Sequence, residues 1–144
     1  MRIIIKESGI EYPMADAPTI RTPEDAHNQV RGAIDDAQEV FVVMMLNRQN
    51  ALISADVVNV GCLSACLCDA RSIFRTAIIK NAAAVILIHN HPSGDPTPSA
   101  EDLKMTRTLI SAGKILEIRV QDHIILGTGA KFFSLRESSM IDFS

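Results

Sequence analysis

The chain has 144 residues, 47% of them hydrophobic and 22% charged, with a formal net charge of −3 and a pI near 5.7. A chain of this size buries one core with little left for a second, so one domain is expected. The acidic balance excludes a general attraction to phosphate backbones; nucleic-acid binding would need a local basic patch, and the 14 Lys and Arg are scattered along the chain.

Met1 to Lys6 has an apolar core too short for a signal peptide, and no later run approaches the length of a membrane span. A cytoplasmic protein off the membrane is therefore expected. Residues 2–6 read as a short strand, followed by a polar linker with Pro13 and Pro18. Thr22-Pro23-Glu24-Asp25 is a helix start, with an N-cap, Pro at the first position and acids in the first turn. Ala26, Val30, Ala33, Ile34 and Ala37 recur at helical spacing, which predicts a helix to about Gln38 with a narrow apolar face. His27 on this helix reads as a surface residue.

Glu39 to Leu46 is β-rich, and Asn47-Arg48-Gln49-Asn50 makes a hairpin turn into Ala51 to Val60, so two central strands are expected. Glu39 opens the first of them. By residue type alone it is a solvated carboxylate at a helix-to-strand corner. Cys62, Cys66 and Cys68 are odd in number and contain no Cys-x-x-Cys, which favours buried or half-buried thiols over a metal knot or redox pair. Asp69 to Lys80 predicts a second helix with Ile73, Phe74, Ala77 and Ile78 inward and Arg71, Arg75 and Lys80 off that face.

Ala82 to Ile88 is a continuous apolar run of the kind made by a strand buried on both faces. His89 and His91 follow it two residues apart, so extended geometry points both imidazoles to one side as a chelating pair. Pro92, Gly94, Pro96 and Pro98 stiffen the next loop and forbid continuation of strand or helix. Ser99 then reads as an N-cap with Asp102 at the third helical position, where unpaired amides favour a carboxylate. Taken singly these residues are an ordinary cap and two strand-end histidines. Together, two His and one Asp make a usual ligand set for a catalytic Zn²⁺ that keeps its fourth position for water.

The third helix, from Ser99 to about Ala112, turns Leu103, Leu109 and Ile110 inward and is expected to stop at Gly113. Ile115 to Val120, His123 to Leu126 and Lys131 to Leu135 are three further strand candidates. The alternation of helices and strands predicts an α/β fold.

His89-x-His91, seven residues, Ser99, two residues and Asp102 resemble the signature of the JAMM (MPN-plus) metallopeptidases. The wording His-Asn-His-Pro-Ser-Gly-Asp-Pro-x-Pro-Ser resembles its RadC-like branch. The likeness runs from about Thr22 to Leu135 and takes in Gln38-Glu39-x-Phe41, Asn81-Ala82-Ala83 and Asp122-His123-Ile124-Ile125. It implies the cytidine-deaminase-like JAB/MPN fold, a mixed β-sheet flanked by helices, over residues 22–144, with 1–21 as an N-terminal strand and linker. It also implies zinc held by His89, His91 and Asp102, Glu39 acting on the attacking water, and Ser99 assisting at the oxyanion of a peptide or protein substrate. Gly61-Cys62 departs from the Gly-Thr or Gly-Ser common in that family. Arg71 either holds a substrate carboxylate or bridges a local acid. His123 follows Asp122 in a strand, a pair the resembling family shares, which leaves a supporting role near the site open; a packed structural histidine is the favoured reading, outside the site.

Three other classes compete. A zinc deaminase needs His-x-Glu and Pro-Cys-x-x-Cys, and the chain has neither. A DNA-repair accessory of the RadC type usually carries a helix-hairpin-helix segment ahead of the domain, and these residues contain none. A metal-free interaction module would have lost its ligands, whereas all three and the Glu are present. The expected function is therefore a zinc-dependent hydrolase of peptide or isopeptide bonds.

Overall fold

The computed structural model of the chain describes residues 4–6, 9–11, 17–60 and 69–144. Among these, strands β1 (Ile4–Lys6), β2 (Gly9–Glu11), β3 (Val40–Leu46), β4 (Leu52–Val60), β5 (Ala84–Asn90), β6 (Arg119–Leu126) and β7 (Phe132–Ser134) form one sheet. It is flanked by α1 (Pro23–Val30), α2 (Ala70–Ile79) and α3 (Ala100–Leu116). The spatial order is β1-β2-β4-β3-β5-β6-β7, antiparallel except for the parallel pair β5 and β6. A parallel neighbour requires a crossover, and α3 supplies it. The mixed α/β sheet expected from the sequence is the observed one.

Strand alternation divides the core into two layers. Phe41, Val43 and Met45 of β3 and Val85 and Leu87 of β5 face Ile73, Phe74 and Leu109 of α2 and α3. Val42, Met44, Leu46, Ala84, Ile86 and Ile88 face Ala26 and Val30 of α1. Met44, Met45, Leu46, Leu87 and Ile88 are fully buried. Each contributes about 1.5–3 kcal/mol of apolar burial, which makes β3 and β5 the rigid centre of the domain. None of the helices among the described residues is long and apolar enough to cross a membrane.

Several elements differ from the sequence expectation. The first helix stops at Val30 and passes through a 3₁₀ turn, Arg31–Ala33, so only Ala26, Val30 and Ile34 of its apolar set are buried. His27 is 6% exposed, not a surface residue, and its ring lies 5.2 Å from that of Phe132. Ile78, expected inward, is 56% exposed beyond the buried face made by Ile73, Phe74 and Ala77.

Helix α3 does not stop at Gly113. It runs to Leu116 and ends on Glu117 at φ 59°, in the left-handed region more usual for glycine. Gly113 serves close packing instead: a Cβ there would lie 2.4 Å from Ile118 O and 3.3 Å from the Phe74 ring. Glycine inside a helix costs about 0.8–1.0 kcal/mol relative to alanine, less than the burial of Phe74 against it returns. Residues 115–116 are therefore helical, and the two predicted strands 115–120 and 123–126 are replaced by the single strand β6. Cys62, Cys66 and Cys68 lie outside the described residues.

Candidate metal centre

The site lies where β5 ends. His89 takes the α3 side of the strand, is 1% exposed, and stacks on Phe41 with ring centroids 5.7 Å apart and planes 6° from parallel. His91 continues the extended direction, because its N–H donates to Leu126 O of the neighbouring strand at 2.9 Å. The following loop is pinned by Gly94 at φ 88°, whose N–H donates to His91 O at 2.9 Å and whose carbonyl accepts from Thr128 N at 3.0 Å. A Cβ on Gly94 would fall 2.1 Å from Thr128 Oγ1.

Ser99 caps α3 as expected from sequence. Its Oγ accepts from Asp102 N at 3.1 Å, and its N–H donates to the Asp102 carboxylate at 2.8 Å, a reciprocal capping box. That second bond turns the carboxylate back over the helix end, toward the histidines.

His89, His91 and Asp102 thereby offer ligand atoms that all lie within 4.8 Å of one another. His89 Nε2 is 3.1 Å from His91 Nε2 and 3.3 Å from Asp102 Oδ1, and His91 Nε2 is 3.2 Å from Asp102 Oδ2. Four donors around a tetrahedral cation with bonds of about 2.0–2.1 Å are spaced by about 3.3 Å, so the separations suit one. The protons agree. His91 Nδ1 is 2.9 Å from Asp95 O, which can only accept, so in the neutral ring the lone pair is on Nε2 and aims into the cluster. Acceptors converging on one largely buried point are a set that could hold a cation.

Burial by itself pushes the Asp102 carboxyl up, but its bonds with His89 and His91, the His89 charge and the Ser99 N–H hold it well below the usual carboxylate range. The bond to Asp102 in turn raises His91, against partial burial and helped by Asp95 O and by the charges of Asp102 and Glu39.

Glu39 is half-buried at the residue before β3. Phe41 is the register partner of His89, and Glu39 and His91 each lie two residues beyond that pair, at the adjoining ends of two central strands. Asn90, the residue between the two histidines, points to the other face and is 1% exposed. Its Oδ1 accepts from Val40 N at 2.7 Å and its Nδ2 donates to Gln38 O at 2.9 Å. It thus clamps the backbone on both sides of Glu39. Asn90→Ala is expected to lower unfolding stability by about 1–3 kcal/mol in urea titration, since it strands both backbone groups. An unchanged midpoint would mean that the clamp holds nothing.

His123, favoured from sequence as a packed residue outside the site, is packed and also touches a site histidine. It is fully buried, with Nε2 2.7 Å from His89 Nδ1 and Nδ1 2.6 Å from Thr106 Oγ1. Burial pushes its imidazole well below the ordinary histidine value. The reason it reaches His89 is a register shift: Val85 pairs with Val120 but Ile86 pairs with Asp122, which leaves Gln121 as an extra residue. The bulge puts His123 opposite Leu87, on the His89 side of the sheet. Neighbouring Asp122 is buried and raised by burial, and it ties Ser134 Oγ, His123 N and Arg136 N together. Arg71 is remote from these contacts: its side chain is 93% exposed and 3.4 Å from Asp69.

A mixed sheet with a His-x-His pair at one strand end and an Asp on the next helix defines an α/β domain whose residues can hold a metal ion. A model of the RadC-like JAB domain matches residues 20–140. A UPF0758 protein of Caldanaerobacter subterraneus subsp. tengcongensis is 41% identical over 126 residues, 87% of this chain and 54% of that protein. A second, of Moorella thermoacetica, is 45% identical over 127 residues, 85% of this chain and 53% of its own. A third, of Symbiobacterium thermophilum, is 48% identical over 103 residues, 72% of this chain and 44% of its own. The chain belongs to the RadC-like JAB domain family and spans about half the length of the curated relatives it matches.

Proposed function

We propose that this domain is a zinc-dependent hydrolase of peptide or isopeptide bonds. The observation that carries the reading is the convergence of His89 Nε2, His91 Nε2 and the Asp102 carboxylate at 3.1–3.3 Å. When bound, zinc supplies Lewis-acid activation and lowers the pKa of water from about 15.7 to about 7.

The chain's own groups do the rest. Glu39, held by Asn90 on the side of His91, takes the proton of the attacking water and returns it to the leaving amine, a task worth about 10²–10⁴ in rate. Ser99 Oγ already accepts from Asp102 N, so its own proton is free to be donated to the developing oxyanion. Asp102 stays ionised throughout the neutral range. The test is metal analysis of the purified chain followed by a peptide-library cleavage screen with and without chelator. About one zinc per chain and chelator-sensitive cleavage are expected. A metal-free chain that does not take up zinc would overturn the reading.

The raised pKa of His91 adds a pH dependence. In the metal-free fold the contact with Asp102 stabilises most below the ordinary histidine pKa of 6.5, and that contribution is lost as pH rises through the raised value. Zinc binding runs the opposite way, because a proton on Nε2 occupies the lone pair the metal needs. Zinc affinity should fall by about tenfold per unit as pH drops below the His91 pKa, in competitive titrations between about pH 8 and about pH 6. A flat profile would remove His91 from the ligand set.

A further inference from the structure

Thr106 lies one helical turn after Asp102 and is fully buried. Its hydroxyl donates to Asp102 O at 2.6 Å, because a carbonyl can only accept. A hydroxyl has one proton, so toward His123 Nδ1, 2.6 Å away, Thr106 Oγ1 must act as acceptor. His123 Nδ1 therefore carries a proton. In the neutral ring its Nε2 is then a lone pair, and His89 Nδ1, 2.7 Å from it, must be the donor. One assignment follows from another: with Nδ1 protonated, neutral His89 has its lone pair on Nε2, the atom that faces His91 and Asp102.

We infer that Thr106 and His123 form a directional hydrogen-bond relay, from the α3 backbone to His89 Nδ1, that holds the His89 ring with its Nε2 lone pair toward the metal centre. Both are positioning residues. The relay starts at the carbonyl of Asp102, so one turn of α3 supplies a carboxylate ligand and also sets the tautomer of a histidine ligand. Without the Thr106 acceptor, His123 gains nothing from keeping its proton on Nδ1. The reversed tautomer places Nε2–H against His89 Nδ1, and His89 then presents N–H where the metal binds. Partner bonds of this kind on ligating histidines are worth tenfold to a hundredfold in metal affinity in other sites, which sets the scale expected here.

The inference rests on the metal reading above, and its test separates the two. Long-range ¹H–¹⁵N NMR of the metal-free full chain reads the histidine tautomers directly. At a pH where the rings are neutral, both His89 and His123 are expected with Nδ1 protonated and Nε2 bare; a neutral His89 that carries its one ring proton on Nε2 overturns the relay whether or not the chain binds zinc. Competitive zinc titration is the second arm. Thr106→Val, which keeps the shape and removes the hydroxyl, is expected to weaken zinc binding by about 10–100-fold, while Thr106→Ser stays within about threefold of the parent. Thr106→Val binding as tightly as the parent overturns the relay. A parent chain with the expected tautomers and no zinc affinity supports the relay and overturns the zinc reading.

Discussion

His91→Ala is expected to reduce bound zinc from about one per chain to near zero, measured by elemental analysis after dialysis. Two protein ligands would remain, of which Asp102 is a single carboxylate already engaged by Ser99 N–H. His89→Ala should have the same effect on metal and a larger one on folding, because it also removes the ring stacked on Phe41 and leaves His123 Nε2 without its partner. Truncating so large a buried ring costs several kcal/mol, about 3–5 on the scale of buried aromatics. His91 is 20% exposed at its side chain, so His91→Ala is the cleaner test of ligation. Stoichiometric zinc retained in the double variant would sink the site and turn attention to Cys62, Cys66 and Cys68.

Glu39→Gln should leave zinc content and folding intact while hydrolysis falls by about 10²–10⁴. In the proposed mechanism Glu39 serves the site by position, not by ligation. The cluster of close ligand atoms consists of His89, His91 and Asp102, and Glu39 acts on it through charge, as one of the groups that raise His91. Gln is nearly isosteric and leaves the Asn90 clamp on Gln38 and Val40 in place. The substitution therefore removes proton transfer and little else. Turnover of a library-derived peptide, read beside zinc content, decides the matter. Undiminished turnover with zinc retained refutes Glu39 as the base. Loss of zinc would make it a ligand, and its role and that of Asp102 would be redrawn.

The relay and the clamp explain features that a ligand list leaves idle. Asn90 lies between the two histidines but turns to the opposite face of β5, where it fixes the backbone that carries Glu39. His123 and Thr106 come from β6 and α3 and meet beneath His89. The four elements β3, β5, β6 and α3 are thus cross-linked by buried polar side chains whose hydrogen bonds are directional, which apolar packing is not.

By itself the sequence determined what is local. The apolar run before His89 specifies a strand buried on both faces. The two-residue spacing puts both imidazoles on one side, and Ser99 with Asp102 three residues later specifies a capped helix start. The hairpin from β3 to β4 and the helical faces of Ile73, Phe74 and Ala77 were legible for the same reason, since each depends on a short-range period. Only the tertiary structure decided the rest. Glu39 by residue type reads as a corner residue, and the family resemblance alone singles it out; the antiparallel register of β3 on β5 brings the strand end it precedes beside the one that leads to His91, about fifty positions away in the chain. Register is a long-range choice made by which faces are buried, and no local period encodes it. The contact of His123 with His89 was hidden for a subtler reason. Strict alternation from Val120 would send it to the α1 face, and the extra residue at Gln121 reverses that parity. Gly113 misled in the opposite sense: its sequence context marks a helix end, but the approach of Ile118 and Phe74 makes it an interior contact.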